Sequence, residues 1–538
     1  MTHKVTRDIL DYKPDYRDVD DMLRRAARQY RRTLAVEDEN SSLLWGEFDT
    51  QINQIANALI AKGVVPNDRI AILARNSVAY VCLMFGILRA GACVVPLSTL
   101  AASESLADMV TDSGAKLLFV SSDYAHMVLS HEDKLEGLDA NGLMFLDGGD
   151  SAHDTLKDFI KGAPSSAPNV TLTKDMSFNL IYSSGTTGTP KGILQDRYYR
   201  SKESLNMIEG FELDAQTRTL VSTPLYSNTT LFLFIAAIAA GGSAYLMGKF
   251  DARKYLELSE KLKITHSVLV PVQYARLLKD PDFDHFDLSS YKAKFSTSAP
   301  LHKQVKQDVL NRWPAGGLIE FYGMTEGGVN CTLVAHEFPD KLDTVGQPSP
   351  ECEILIIGDD GQILPQGSSG EIVGRSPTMM RGYHNREEAT AEANWYDEAG
   401  QRYHRSGDIG WFDTEGFLHL LDRKKDMIIS GGFNIYAIDL EKALLAQAEV
   451  SDVAVIGAPS DEWGETPVAF VVGNSLTAVD AEHLRQAVNA KLGKAQRISE
   501  IKIVEELPRS PIGKILKREL RASLAYISPE KQYHSNNQ

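Results

Sequence analysis

Ile181-Tyr182-Ser183-Ser184-Gly185-Thr186-Thr187-Gly188-Thr189-Pro190-Lys191-Gly192 is the stretch on which the reading of this chain turns. The apolar run at residues 178–182 reads as a buried strand, and glycines interleaved with hydroxyls and closed by a lysine suit a loop that wraps polyphosphate. Glycine lets the backbone approach, hydroxyls and amides donate hydrogen bonds, and the ammonium offsets charge. The ordinary phosphate loop carries Gly-Lys followed by Ser or Thr for magnesium. Here Pro190 precedes Lys191 and Gly192 follows it, so this is a nucleotide loop of another kind. By composition alone the stretch could also be a flexible linker, and the segments downstream decide between the two.

At 538 residues the chain is too long for one compact core, so two or more domains are expected. Hydrophobic content of 43% and charged content of 24% are those of a soluble protein. Acidic residues exceed basic by 72 − 56 = 16, which argues against a nucleic-acid surface and gives no support for an anionic membrane face. Residues 1–12 lack the apolar core of a signal peptide, and the longest apolar run, 231–240, is about half a bilayer crossing and reads as a buried helix. No stable membrane insertion is expected. Cys82, Cys93, Cys331 and Cys352 show neither a paired spacing nor a metal-ligand cluster, which points to a reducing cytoplasm and to small core residues.

From residue 20 to 180, helical spacing (Ile52, Ile55, Ala56, Leu59) alternates with short apolar runs at 69–73 and 93–96, the pattern of a covered parallel sheet. Residues 251–278 read as helix, strand, helix. The runs at 353–357, 369–375 and 416–421 read as antiparallel strands between turns such as Gly358-Asp359-Asp360-Gly361. Beyond residue 437, a helix at 438–448, strands at 453–456 and 468–472 and a helix at 481–492 make a small α+β domain, while 520–538 shows no folded pattern.

Further motifs follow the loop. Phe321-Tyr322-Gly323-Met324-Thr325-Glu326-Gly327-Gly328 offers an aromatic face for a base, a hydroxyl for a phosphate and a carboxylate for Mg²⁺. Arg405-Ser406-Gly407-Asp408 sets a carboxylate at a strand end, suited to accept both hydroxyls of a ribose. Ser296-Thr297-Ser298-Ala299-Pro300-Leu301, Asp422-Arg423-Lys424-Lys425-Asp426, Ser430-Gly431-Gly432-Phe433 and Pro508-Arg509-Ser510-Pro511-Ile512-Gly513-Lys514 complete the series. Together with the loop these runs resemble the signatures of the adenylate-forming superfamily, which includes acyl-CoA synthetases, luciferases and nonribosomal peptide adenylation domains.

That resemblance implies an α/β fold: a large N-terminal domain (1–424) of two α/β subdomains plus a distorted β-barrel, a small mobile α+β domain (425–525) and a tail (526–538). It implies ATP or AMP contacts from Ser183, Ser184, Gly185, Thr186, Thr187, Gly188 and Lys191, and from the adenine loop Ser298-Ala299-Pro300. Further contacts come from Tyr322, Gly323, Thr325, Asp408, Arg423 and Lys514. Glu326 with Thr186 would hold Mg²⁺, Lys514 would be the catalytic lysine, Lys425 the hinge, and Gly431, Gly432 and Phe433 the passage for coenzyme A. Tyr226, Ser227, Asn228, Met324, Gly327 and Val329 would border the acyl pocket. The chain departs from the family at Ser227, where a histidine is usual, and at Asp196-Arg197, where Ser/Thr-His is usual; Arg197 is read as a local partner of Asp196 with no catalytic role.

The function implied is ATP-dependent activation of a carboxylic acid to an acyl adenylate, then transfer to coenzyme A. A stand-alone enzyme loading a carrier protein ranks second and a non-catalytic nucleotide-binding protein third. The pocket residues include no lysine or arginine for a second carboxylate, so a monocarboxylic acid is expected, aliphatic or alicyclic/aromatic. The expected assembly is a monomer or homodimer.

Overall fold

The computed structural model describes residues 16–131, 134–135, 137–139, 141–149, 153–183, 190–424, 426–430, 433–460, 463–473, 478–490, 492, 497–510 and 514–525. The chain divides into two units, Met1–Ile354 with Gly374–His404, and Leu355–Val373 with Arg405–Gln538.

The first unit carries two large sheets. In the seven-stranded one, Arg69–Leu73 lies between Cys93–Pro96 and Ala115–Val120, all parallel, with Leu143–Phe145 at one edge. Toward the other edge Ser177–Ser183, Lys191–Asp196 and Gly382–Tyr383 follow, the last two steps antiparallel. Alternate residues of one strand feed different cores: Ile70 and Ile72 join the cluster of the helices Trp45–Ala61 and Val78–Arg89, whereas Ala71 and Leu73 face the helix Ser103–Ser113. A sheet covered on both faces needs such continuous apolar strands.

The nine-stranded sheet orders Gln347–Pro348, Asn330–Val334, Leu318–Gly323, Ala293–Ser296, His266–Leu269, Arg218–Val221, Ser243–Leu246, Leu34–Glu37 and Ser42–Leu44. Its strands from Ser243–Leu246 through Leu318–Gly323 run parallel, with Asn330–Val334 returning antiparallel. Phe211, Phe232, Phe295 and Phe321 interlock beneath it; Phe295 and Phe321 stack at 5.6 Å while Phe211 meets Phe295 edge-on at 4.8 Å. Offset and edge contacts of this kind suit the ring quadrupoles. The run at 231–240 is indeed a core helix, Asn228–Ala239. Among the described residues no helix is long and apolar enough to cross a membrane.

In the second unit, residues 408–412 pair antiparallel with the strand Leu418–Arg423. Its other sheet orders Phe433–Ile435, Ile428–Ser430, Gly464–Gly473 and Val450–Ser460, and Glu500–Ile503 adds a parallel strand. The helices Ala437–Leu445 and Ala478–Asn489 supply Leu440, Leu444, Leu484 and Val488 to its core. The expected lack of structure beyond residue 520 is corrected here: the helix Lys517–Ala525 buries Leu520 against Ala454, Ile456, Phe470 and Leu507. Lys517 pairs with Glu441 at 2.9 Å and Arg521 with Asp426 at 2.8 Å. Only Leu520 and Leu524 mark the apolar face of so short a helix, too few to stand out as periodicity.

Arg197 is a second correction. It bonds not Asp196 but Asp18, through Nη1 to both carboxylate oxygens at 2.8 and 2.9 Å, with neither residue more than 3% exposed. Asp196 has other work, accepting from Tyr199 N as N-cap of Arg197–Gly210 and from Arg381 Nε at 3.0 Å. A guanidinium buried at the first helical position needs a carboxylate delivered by another element, and Asp18, itself the N-cap of Val19–Gln29, supplies it. Cys82, Cys93 and Cys331 are buried as expected; Cys352 is half-buried, and none is paired. Burial pushes the Cys93 and Cys352 thiols up to about 12 and that of Cys331 well above its usual value.

Candidate active site

The glycine-rich stretch is flanked by two antiparallel strand arms, Ser177–Ser183 and Lys191–Asp196, whose last cross-strand pairs are Tyr182–Gly192 and Ser183–Lys191, where Ser183 Oγ meets Lys191 O at 3.5 Å. Ser184, Gly185, Thr186, Thr187, Gly188 and Thr189 lie outside the described residues. The outgoing arm presents Lys191, whose Nζ sits 5.1 Å from the centroid of the Tyr383 ring, the distance of a cation–π contact. Tyr383 lies opposite Ile193 on the edge strand Gly382–Tyr383, and its hydroxyl donates to Glu326 Oε1 at 2.9 Å. Burial, reinforced by the charge of Glu326, pushes the Tyr383 phenol well above its usual range, so it stays a donor. Lys191 and Glu326 were anticipated. Tyr383, which joins them, was missed, because a lone Gly-Tyr on a two-residue strand carries no periodic signal.

The segment after the strand Leu318–Gly323 is pinned at three points. Met380 N donates to Glu326 O at 2.7 Å, Gln195 Nε2 donates to Thr325 O at 2.7 Å, and Gly327 N closes a turn onto Met324 O at 3.0 Å. Gly327 and Gly328 have φ of +74° and +83°, and a Cβ on Gly327 would stand 1.9 Å from Thr378 O. Only glycine meets both conditions. Gly327 thus packs on the Thr378–Met379 backbone, and Val329 is buried with its Cγ2 toward Gly374. Met324, Tyr322 and Thr325 are half-buried, Tyr322 across the strand pair from Cys331. His404 is buried behind the glycine pair, its imidazole lowered by burial against the opposing pull of Glu326.

The adenine-loop expectation acquires a physical detail. Ser298 adopts φ of +81°, a conformation glycine takes freely and serine rarely. Its hydroxyl shares a hydrogen bond with Thr229 Oγ1 on the first turn of Asn228–Ala239. Ala299 and Pro300 follow, and Leu301 N donates at 2.7 Å to Glu320, a carboxylate raised by burial and held by Lys306. On the pocket side, Ser227 Oγ accepts from Thr229 N as helix N-cap, Tyr226 is buried, and Asn228 Oδ1 accepts from Arg200 Nη2 at 2.7 Å. The position where the family usually has histidine therefore serves the helix terminus.

In the second unit Asp408 and Arg423 face each other across the strand pair, with Arg423 Nε 3.2 Å from Asp408 Oδ1. Gly407, with φ of +69°, turns the strand, and Ser406 Oγ accepts from Asp408 N at 3.0 Å. Lys424 reaches Glu371, which also holds Arg405; burial alone would raise Glu371, but these two cations bring it below its usual value. Lys425, Gly431 and Gly432 lie outside the described residues, as does the Phe433 side chain. Lys514 is exposed; Ser510 N donates to Lys514 O at 2.7 Å and Lys514 N donates to Ser510 Oγ at 3.1 Å.

Among the described residues no cluster of three metal-ligating side chains occurs. Glu326, partly exposed with one oxygen bonded by Tyr383, fits the way Mg²⁺ is held when substrate phosphates complete the shell: one carboxylate from the protein, oxygens from the ligand.

The AMP-binding enzyme family model matches residues 23–384, more than half the chain, and the model of its C-terminal domain matches 439–514. The chain belongs to the AMP-binding enzyme family. Several of its curated relatives carry the names of CoA synthases and ligases. It is 31% identical to a feruloyl-CoA synthase of an Amycolatopsis species, over 92% of this chain and 97% of the relative. It is 30% identical to the indoleacetate–CoA ligase of Aromatoleum aromaticum, over 91% and 95%. Among solved structures, ATP-bound MatB from Rhodopseudomonas palustris superposes with a TM-score of 0.84 at 26% identity, covering 95% of this chain and all of that one. This AMP-binding enzyme thus shares the mixed α/β architecture of that family, a large N-terminal and a small C-terminal domain. It is an acyl-CoA synthetase.

Proposed function

We propose that this acyl-CoA synthetase activates a monocarboxylic acid, carrying the roles on the residues named above. A carboxylate is a poor acyl donor because its leaving group would be oxide. Attack of the carboxylate oxygen on the α-phosphorus of ATP forms the acyl adenylate and breaks the bond to pyrophosphate. Charge gathers between carboxylate and phosphate in that transition state, and Thr186, Thr325 and Lys514 are the groups assigned to receive it. Glu326 would hold Mg²⁺, which when bound neutralises charge on the departing pyrophosphate. Asp408, aligned by Arg423, takes the ribose hydroxyls, and Tyr322 takes the base.

In the second step the thiol of coenzyme A attacks the acyl carbonyl and AMP leaves. The lysine and the thiol channel are needed in turn around one carbonyl, so we assign a rotation of 425–525 about Lys425 that exchanges Lys514 for Gly431, Gly432 and Phe433. Support for the reading comes from one observation above the rest: Lys191, Tyr383 and Glu326 are linked in the first unit beside the end of the glycine-rich stretch. The carrier-protein alternative is not favoured, since the curated relatives named above are CoA ligases. Feruloyl and indoleacetate in their names lend weight to an aromatic acid. We place the enzyme in a reducing cytoplasm, in keeping with its unpaired cysteines.

The test is AMP release across a panel of aromatic, alicyclic, aliphatic and dicarboxylic acids, with and without coenzyme A. Release that needs coenzyme A and a monocarboxylic acid is expected. A preference for dicarboxylates would overturn the acid assignment, and AMP formation indifferent to coenzyme A would overturn the acceptor.

A further inference from the structure

A run of buried amides lies behind the Thr325 segment. Arg200 is fully buried, and its guanidinium donates from Nε to Asn179 Oδ1 at 2.8 Å, from Nη1 to Glu203 Oε2 at 2.7 Å and from Nη2 to Asn228 Oδ1 at 2.7 Å. Asn179 Nδ2 donates to Gln195 Oε1 at 2.9 Å, and Gln195 Nε2 donates to Thr325 O at 2.7 Å. Asn179 and Gln195 are 2% and 0% exposed, so water offers them no alternative partners.

The direction of every bond in this run follows from one end. A guanidinium can only donate, so Asn179 must turn its oxygen to Arg200 and its amide nitrogen to Gln195. Gln195 must then turn its oxygen to Asn179 and its nitrogen to Thr325. We propose that Arg200 is a positioning residue: through Asn179 and Gln195 it fixes the polarity of an amide relay that ends on the Thr325 carbonyl, and so holds the segment carrying Thr325 and Glu326 in its ATP-binding position. Reversing the relay would put two oxygens face to face at Thr325. Glu203 neutralises Arg200 locally, so the guanidinium acts on the relay as an oriented donor and leaves no net charge beside it.

The inference rests on the ATP-site reading of Thr325 and Glu326, and the experiment separates the two. Asn179→Asp keeps a carboxylate oxygen for Arg200, and thereby its bond to Asn228, but presents a second oxygen to Gln195, forcing it to turn its oxygen on Thr325. Steady-state pyrophosphate release should then show kcat/KM for ATP lowered about tenfold, with KM for the acid within about twofold. Gln195→Met should lose a similar amount, and the double variant should be no worse than Gln195→Met alone, because polarity cannot matter once the last amide is gone. Glu326→Gln serves as the control. If it retains wild-type ATP kinetics, the site reading fails. If it loses activity while Asn179→Asp does not, or while the two relay variants multiply, the relay is overturned. Should Asn179→Asp fail to fold, wild-type ATP kinetics in Gln195→Met would overturn it alone.

Discussion

The Tyr383 hydroxyl stands 2.9 Å from Glu326 Oε1 while the ring of the same residue lies under the Lys191 ammonium, 5.1 Å away. One side chain thus orients the carboxylate proposed to hold the metal and seats Lys191 beside the glycine-rich stretch. Tyr383→Phe keeps the ring and deletes only the donor. A hydrogen bond to a charged group is worth about 1.5–3 kcal/mol, so kcat/KM for MgATP should fall roughly ten- to a hundredfold. A magnesium titration checks it; a curve superimposable on wild type would detach Tyr383 from the metal site.

Lys514→Ala should slow adenylate formation by about 10²-fold or more, the loss seen when one transition-state donor is removed. Thioester formation from a supplied acyl adenylate should survive, because the second step does not use the lysine. Rapid-mix measurement of the two half-reactions decides, and equal losses in both would contradict the division of labour between the steps.

The Asp18–Arg197 pair predicts an asymmetric stability response. Asp18→Asn leaves a buried guanidinium facing an uncharged amide and should cost about 3–5 kcal/mol. Asp18→Asn with Arg197→Met removes both charges and should recover most of it. Denaturant unfolding gives both values; a single-variant cost below about 1 kcal/mol would mean that the pair is dispensable.

His266, fully buried on the strand His266–Leu269, is lowered by burial to about 4 from an ordinary 6.5. The unfolded chain takes up the proton first as pH falls. Stability is therefore whole above pH 6.5 and drains away between 6.5 and about 4, by 2.5 × 1.36, on the order of 3 kcal/mol. Urea unfolding of wild type and His266→Gln at pH 7 and pH 4 isolates this site. Equal acid losses in the two proteins would refute it.

Much of this is legible in the sequence. The strands at 69–73 and 93–96 are apolar throughout because both faces of their sheet are covered, and such runs stand out in the sequence. Asp408 and Arg423 lie side by side across a strand pair, in a register set by the turn between their strands. The partner of Arg197 is not legible in the sequence because its neighbour, Asp196, is committed to a helix cap, and Asp18 lies 179 positions away. Tyr383 and the amides of Asn179 and Gln195 were invisible for the same reason. Their chemistry arises only when strands distant in sequence lie side by side, and no local pattern encodes that adjacency.

The cysteines carry a practical corollary. Cys82, Cys93 and Cys331 are buried, and with Cys352 they are held protonated, so maleimide dyes should leave the native thiols untouched at neutral pH. A single cysteine introduced on an exposed position of the helix Ala437–Leu445 would then be the sole fluorophore attachment point, and the wild-type background needs no stripping before the proposed rotation of residues 425–525 is tested by spectroscopy.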